Sequence, residues 1–279
     1  MTKSADLHIH STHSDGLLST EKIFFYAQKR KLKAISITDH DSVGANSEAL
    51  ELSKKYKIEF IQGIELSSEY NEMDIHILGY FVDPNNKTLQ KYIKKFKDVR
   101  IDRAKKMVKL LQEDNIDITF EEVNEISNNG AIARPHLAHL LIKKKYAYNF
   151  YDAFSKYLND NSKYHVKKFK ISIPNSVKLI HEAGGLAFAA HPNYLREKPE
   201  MLKVLMDAGI DGLETIHSSY DDEFLRKIND MADYNKLLKS GGSDCHGGRK
   251  YGKLILGKYK ITYDRIEKMK YVLKKRSKE

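Results

Sequence analysis

The chain has 279 residues, 48 Lys plus Arg against 38 Asp plus Glu, a formal charge of +10, one cysteine, twelve histidines and no tryptophan. With 41% hydrophobic and 31% charged residues, the composition excludes disordered and fibrous classes, and no apolar run approaches the roughly 18 residues that span a bilayer. The lone Cys245 excludes an internal disulfide and a four-cysteine zinc site, and Met1-Thr2-Lys3-Ser4 lacks the apolar stretch of a signal peptide, so the expected location is the cytoplasm.

The length admits one or two domains, since single α/β barrels reach about 250 residues. Apolar β-type runs are read at Ala5 to Ser11, Lys33 to Asp41, Glu59 to Tyr70 and Met73 to Asp83. Helical patterns separate the first three, one of them opening at Ser19, an N-cap followed by Glu21 in the first turn. Such alternation predicts parallel strands with right-handed crossovers. Residues 85 to 160 hold long charged helical patterns and no convincing strand, with breaks around Asn128-Asn129-Gly130 and Arg134-Pro135. The alternation then returns, with helices near Asn175 to Ala183, Pro199 to Ala208 and Asp221 to Tyr234. Strands are expected at Leu186 to His191, Gly212 to His217, Leu237 to Ser240 and Leu254 to Ile261, before a closing helix. The simplest organisation is one α/β barrel of residues 1–83 and 171–279, interrupted by a helical insertion, 84–170, that is expected to cap its mouth.

Eight histidines, His8, His10, His13, His40, His76, His191, His217 and His246, fall within or just after predicted strands. In a (β/α) barrel the carboxyl ends of the strands build the active site, so imidazoles there point to one shared centre. His8 and His10, two apart, present the same strand face, and Asp244 and His246 repeat that spacing, which turns Cys245 to the opposite face. Asp15, Asp39, His40, Asp41 and Glu65 add donors at the ends of the first three runs. Nitrogen and oxygen ligands without thiolate suit Zn²⁺, Mn²⁺ or Fe²⁺. His13 is assigned a supporting position outside the ligands, and His139, His165 and His181 structural ones.

His8-Ile9-His10 with Asp15-Gly16, Thr38-Asp39-His40-Asp41, Gly63-Ile64-Glu65, Asp74-Ile75-His76-Ile77-Leu78-Gly79, Ala190-His191-Pro192 and Gly242-Ser243-Asp244-Cys245-His246-Gly247 together resemble the ordered motif set of the PHP (polymerase and histidinol phosphatase) family. The resemblance covers nearly the whole chain. It implies a distorted (β/α)7 barrel and a trinuclear site, taking two to three divalent cations. By the family pattern one ion falls on His8, His10, Glu65 and Asp244, a second on Glu65, His76 and His191, and a third on Asp15, His40 and His246. Ala133-Arg134-Pro135-His136-Leu137-Ala138, Ala153 to Leu158 and Ile180 to Gly185 resemble the branch of nucleoside 3′,5′-bisphosphate phosphatases and 5′-to-3′ exoribonucleases. Gly212-Leu213-Glu214-Thr215-Ile216-His217 resembles another family stretch, from which Ile216 and Ser218 depart.

Adjacent divalent cations suit phosphoester hydrolysis: they make hydroxide available at neutral pH, clamp phosphate oxygens and neutralise the leaving alkoxide. The chain carries no Gly-x-Ser-x-Gly elbow, P-loop or Rossmann glycine fingerprint, so covalent hydrolase, NTPase and dinucleotide readings lack support. The expected activity is metal-dependent hydrolysis of a nucleotide or short oligonucleotide. The alternatives are histidinol-phosphate phosphatase or a non-catalytic metal-binding module. Asp15, His40, His191 and His217 form the expected catalytic set, with Arg134, His136 and His217 as substrate contacts, His136 alternatively packing on its helix. Neither a membrane nor an obligate protein partner is inferred. Residues 84–170 hold 19 Lys plus Arg against 10 Asp plus Glu and the remainder 29 against 28, so nine of the ten excess charges fall in the insertion. A basic lid that draws in polyanions is the expected consequence.

Overall fold

The computed structural model describes residues 3–127, 132–167, 169–248 and 254–277. Strand β1 (Ser4–Ile9) leads to helix α1 (Thr20–Lys29), where the Ser19 side chain accepts from Lys22 N as the N-cap spacing predicts. Strand β2 (Ala34–Ile37), helix α2 (Asn46–Tyr56), β3 (Glu59–Tyr70) and β4 (Met73–Tyr80) follow. Asn71 and Glu72, with φ of 46° and 65°, form the two-residue turn that folds β4 back along β3, pairing Tyr70 with Met73. Helices α3 (Lys87–Glu113), α4 (Phe120–Ile126), α5 (Arg134–Lys143) and α6 (Phe150–Ala153) come next, α6 continuing into a π-helical turn at Phe154–Leu158. The rest comprises β5 (Ile171–Ser172), α7 (Ile173–Glu182), β6 (Leu186–Ala189), a 3-10 turn at Asn193–Arg196, α8 (Met201–Asp207), β7 (Gly212–Ile216), α9 (Asp222–Tyr234), β8 (Leu238–Gly241), β9 (Ile261–Thr262) and α10 (Asp264–Arg276).

The strands run in the order β8-β7-β6-β4-β3-β2-β1-β9, with β5 attached to β3. Beyond β8 the chain turns back onto β1, where Ile9 bridges Cys245, Asp244 N donates to His8 O and His10 N donates to Cys245 O, bringing the barrel round on itself. A Cβ at Gly242 would stand 2.3 Å from His8 N, so only glycine permits this approach. The result is a distorted TIM-like barrel of seven principal strands, as expected. All are mutually parallel except β4, which is antiparallel to both β3 and β6.

One strand was not expected, and one expected strand needs correction. β5, a two-residue strand against Ser68 and Glu69, is too short to leave a periodic pattern. In the run Leu254 to Ile261 only Ile261 is strand, because Gly257 at φ 71° turns the chain and its N–H goes to Asp6 Oδ2 at 2.7 Å. The break at Arg134-Pro135 is the start of α5, with Pro135 in its first turn, whereas Asn128-Asn129-Gly130 lies outside the described residues.

Alternation along β1 separates chemistry from packing. Leu7 and Ile9 enter apolar clusters, while Asp6 and His8 occupy the other face, continued by His10. Cys245 packs with Ile9, away from that polar face as predicted. Fully buried Asp6 accepts from Ser243 N at 2.9 Å, His8 N at 3.3 Å and Gly257 N at 2.7 Å, stapling three segments. Burial raises its carboxyl to about 6, against these hydrogen bonds. Asp6→Asn turns an amide NH₂ toward at least one of those donors, so thermal or urea unfolding should show a loss of about 2 kcal/mol or more. Full stability in the variant would contradict the staple.

α3 joins two packing regions: Leu89 and Phe96 pack with the barrel strands and α7, whereas Ala104, Met107, Val108 and Leu111 pack with α4, α5 and Tyr164. Buried Arg100, on the same helix, pairs with Asp41 in the loop after β2. No helix among the described residues is long and apolar enough to cross a membrane.

Candidate metal centre

Glu65, from β3, is the centre of the polar cluster. Its Oε1 lies 3.1 Å from His76 Nδ1 and 3.1 Å from His191 Nε2. Its Oε2 lies 3.4 Å from His8 Nε2, 3.3 Å from His10 Nε2 and 3.1 Å from His40 Nδ1. Five imidazoles thus surround one buried carboxylate, divided between its two oxygens. His76 is the exception to the strand-end rule: because β4 is reversed, the first half of the strand stands beside Ser67 near the mouth.

Asp244 Oδ1 lies 3.2 Å from His10 Nε2, 3.5 Å from His8 Nε2 and 3.4 Å from His246 Nδ1. Asp15 Oδ1 is 3.2 Å from His246 Nε2. Donor atoms of His10, Asp15, His40 and His246 all lie within 4.8 Å of one another, as do those of His8, His10 and Glu65, and of His40, Glu65 and His76. These form one continuous cluster whose grouping differs from that implied by the resemblance: His10 joins Asp15, His40 and His246, His40 stands with Glu65 and His76, and His10, His40 and Glu65 each belong to two groups.

The donor set fits divalent cations. His10 Nδ1 is buried without a hydrogen-bond partner, with Asp15 Oδ1 3.8 Å away, a costly condition that a cation relieves. Burial opposes charge on Glu65, Asp15 and Asp244, yet the surrounding imidazoles hold all three well below the usual carboxylate range. Burial pushes His10 down, but Asp244 and Glu65 raise it to about 10. His8, against the same burial, is held well above its ordinary value by Glu214, Glu65 and Asp244. Burial holds His40 well below its own.

These shifts set a pH dependence for chelated protein. A His pKa raised on folding stabilises the fold fully below the unfolded value of about 6.5, and that contribution is lost as pH rises toward the folded value. For His10 the window runs from about 6.5 to about 10, and the raised His8 and His191 act in the same sense. Tm in EDTA should therefore fall by about 5 °C between pH ~7 and pH ~9.5, and Mn²⁺ should abolish the fall. A flat or rising profile in EDTA would contradict it.

Supporting groups hold the cluster in shape. Fully buried Glu214, from β7, receives His8 Nδ1 at 2.9 Å on Oε1 and His191 N at 2.6 Å on Oε2. The contact turns His8 Nε2 toward Glu65, the arrangement in which a carboxylate fixes a ligand imidazole's tautomer. Glu214 was noted in the sequence only as part of a motif, and a lone glutamate within a strand carries no stronger signal. Asp39 accepts from Ser11 N at 2.8 Å, Ser11 Oγ at 2.6 Å and Ser14 Oγ at 2.5 Å, securing the loop that carries Asp15. Asp41, His191 and Asp244 have φ of 51°, 29° and 51°, a left-handed conformation that costs each about 1–3 kcal/mol; His191 N donates to Glu214, Ser67 N donates to Asp41 at 2.8 Å, and Asp244 N donates to His8 O.

His217 Nδ1 accepts Ser219 N–H at 3.2 Å, leaving the neutral ring's proton on Nε2, which faces Asp244 Oδ2 at 3.3 Å. Arg134 donates to Leu158 O at 2.9 Å and Asp160 Oδ1 at 2.6 Å. It lines a cavity of about 490 Å³ with Arg103, His165, Lys167 and Lys170, bordered by Glu72, Asp74 and Asp160. Asp74 lies 3.7 Å from His76 Nε2 and 3.2 Å from Lys170 Nζ, which sets this basic cavity beside the cluster. Sequence spacing did not reveal Arg103 or Lys170, and His165, read as structural, stands in the same cavity. His136 is buried, its Nδ1 accepting Ala133 N–H at 3.0 Å at the start of α5. His13 packs over Gly44 and makes no hydrogen bond or ion pair with the cluster among the described residues. His181 pairs with Asp211 at 2.8 Å, and His139 rests near Phe150.

The PHP domain model matches residues 6–276. The chain is 30% identical over 250 residues to a 5′-3′ exoribonuclease of Haemophilus influenzae, covering 88% of this chain and 91% of that enzyme. It is also 30% identical over 256 residues to a 3′,5′-nucleoside bisphosphate phosphatase of Chromobacterium violaceum, covering 88% and 90%. A crystal structure from Bifidobacterium adolescentis, described as that of a metal-dependent phosphoesterase, superposes with a TM-score of 0.87 at 28% identity, covering 96% of this chain and 95% of that one.

Proposed function

The chain belongs to the PHP domain family, and from that premise we propose that it is a metal-dependent phosphoesterase that hydrolyses phosphate esters of nucleotides. The substrates are a nucleoside 3′,5′-bisphosphate or the 5′ end of a short oligoribonucleotide, the reactions after which two of its relatives are named. The observation that carries the reading is Glu65, whose two oxygens are shared among five imidazoles, in a cluster completed by Asp15, Asp244 and His246. His8, His10, Asp15, His40, Glu65, His76, His191, Asp244 and His246 are the residues that would hold two to three divalent cations, Mn²⁺, Zn²⁺ or Fe²⁺. Such ions supply an activated water and neutralise charge on the phosphate oxygens.

The protein's own groups do the rest. His217 presents its Nε2–H at the cluster and is placed to donate a hydrogen bond to a phosphate oxygen of the substrate, its tautomer fixed by the Ser219 N–H. Ser219 Oγ, 2.7 Å from His217 Nδ1, is in turn held by Asn193 Nδ2 at 2.7 Å. Arg134, Arg103 and Lys170 receive the substrate's second phosphate in the adjoining cavity, where a phosphate displaces Asp160 from Arg134. Residues 84–170 act as a cap over the mouth, anchored by the buried Arg100–Asp41 pair and carrying nine of the ten net positive charges.

Dialysed protein reloaded with Mn²⁺ should release phosphate from adenosine 3′,5′-bisphosphate or mononucleotides from 5′-phosphorylated oligoribonucleotides, with histidinol phosphate turned over poorly in the same panel. Inactivity on both nucleotide substrates, with bound metal demonstrated, would refute the reading. Preferred turnover of histidinol phosphate would replace it with the alternative.

A further inference from the structure

A cavity of about 650 Å³ opens at the opposite end of the barrel from Glu65, where the chain enters β1 and passes from α1 to β2 and from α2 to β3. Its cations are Lys3, Arg30, Lys31, Lys33, Lys57 and Lys260, and no acidic side chain among the described residues lines it. None of the six is held in an ion pair among the described residues. The composition outside residues 84–170 is nearly balanced, 29 Lys plus Arg against 28 Asp plus Glu. Six cations round one concavity therefore represent segregation of charge rather than a basic chain on display.

Helix electrostatics explain half of this group. Arg30 and Lys57 are the C-caps of α1 and α2, and Lys31 follows the first of them, where cations offset the helix dipole. Lys3, Lys33 and Lys260 precede strands and have no such reason to be there. Moreover, Lys31 and Lys57 both sit at φ 55°, in turns where glycine would be unstrained, so each costs about 1 kcal/mol of backbone energy to keep a cation at the rim. Leu32, Ile58 and the Tyr56 ring supply an apolar wall. Concave walls of low dielectric focus the positive potential of the rim, and the volume is that of an ordinary small-ligand site.

We propose that this cavity is a second binding site, for a ligand presenting two or more phosphate groups, either a free nucleotide or a stretch of oligonucleotide backbone. The cations take the phosphates and the Tyr56 wall takes a base or ribose. Lys3 precedes His8 by five residues, about 17 Å of strand, so the site can be filled while the metal centre holds a substrate of its own. The proposal stands apart from the reading of the metal centre.

Amine acylation of the full chain in EDTA, read by mass spectrometry, tests it with pyrophosphate, adenosine 3′,5′-bisphosphate and a 5′-phosphorylated octaribonucleotide as probes. Lys3, Lys31, Lys33, Lys57 and Lys260 should be protected at least about threefold more than the exposed α3 lysines Lys94 and Lys97. Protection by pyrophosphate or the bisphosphate assigns the site to small phosphate ligands, and protection by the octamer alone assigns it to a strand. The double variant Lys31→Gly, Lys57→Gly removes two charges while relaxing both turns. It should keep or gain thermal stability, lose the selective protection, and leave kcat/KM on the bisphosphate unchanged. Uniform protection of all lysines, or selective protection that persists in the double variant, overturns the proposal.

Discussion

Glu65→Gln is expected to lower kcat/KM by about a thousandfold or more at saturating Mn²⁺ and to reduce the metal bound per chain. The substitution preserves volume, so the β3–β4 pairing and the barrel should survive. It replaces one shared oxygen with an NH₂ that cannot coordinate a cation. Because each carboxylate oxygen faces its own set of imidazoles, His76 and His191 on one side and His8, His10 and His40 on the other, either orientation of the amide disables one side. Elemental analysis after desalting, beside steady-state kinetics, measures both effects. A folded variant with full metal content and more than about a tenth of wild-type turnover would remove Glu65 from the centre of the chemistry.

Glu214→Gln acts one step further out and should weaken metal binding by about 10- to 100-fold, the usual effect of removing a ligand's supporting carboxylate. In the wild type one side chain accepts from His8 and from the backbone of His191, two residues on opposite sides of Glu65. The glutamine leaves one of those donors facing an NH₂, freeing either the His8 tautomer or the φ 29° backbone of His191. Affinity is read by competition with a chromogenic chelator. Activity should recover substantially at high Mn²⁺, which separates a positioning role from a ligand's role. Unchanged affinity would show that His8 and His191 hold their geometry without Glu214.

Much of the candidate centre was legible before folding because its donors sit at spacings that one strand can express. His8 and His10 share a face by alternation, whereas Asp244 and His246 lie beyond the end of β8, where Asp244 sits at φ 51°, and reach the cluster on either side of a Cys245 that packs into the core. The helix start at Ser19 and the break at Arg134-Pro135 were legible for the same local reason, since capping and proline geometry are settled within a few residues. The strand expected over Leu254 to Ile261 failed because an apolar run does not distinguish a strand from a buried turn, and Gly257 together with Asp6 decided for the turn.

By itself, then, the sequence determined the α/β alternation, the faces on which the imidazoles stand and the concentration of positive charge in residues 84–170. Each of these depends on period, spacing or count. Only the tertiary structure decided that β4 runs backwards and brings His76 to the mouth from its first half, that Glu214 supports His8 across 206 residues of chain, and that Arg134 shares a cavity with Arg103 and Lys170. It also decided that six cations of a nearly neutral barrel meet at the end opposite the metal centre. These outcomes join residues remote in sequence, so they depend on how strands close and helices dock, which no local propensity encodes.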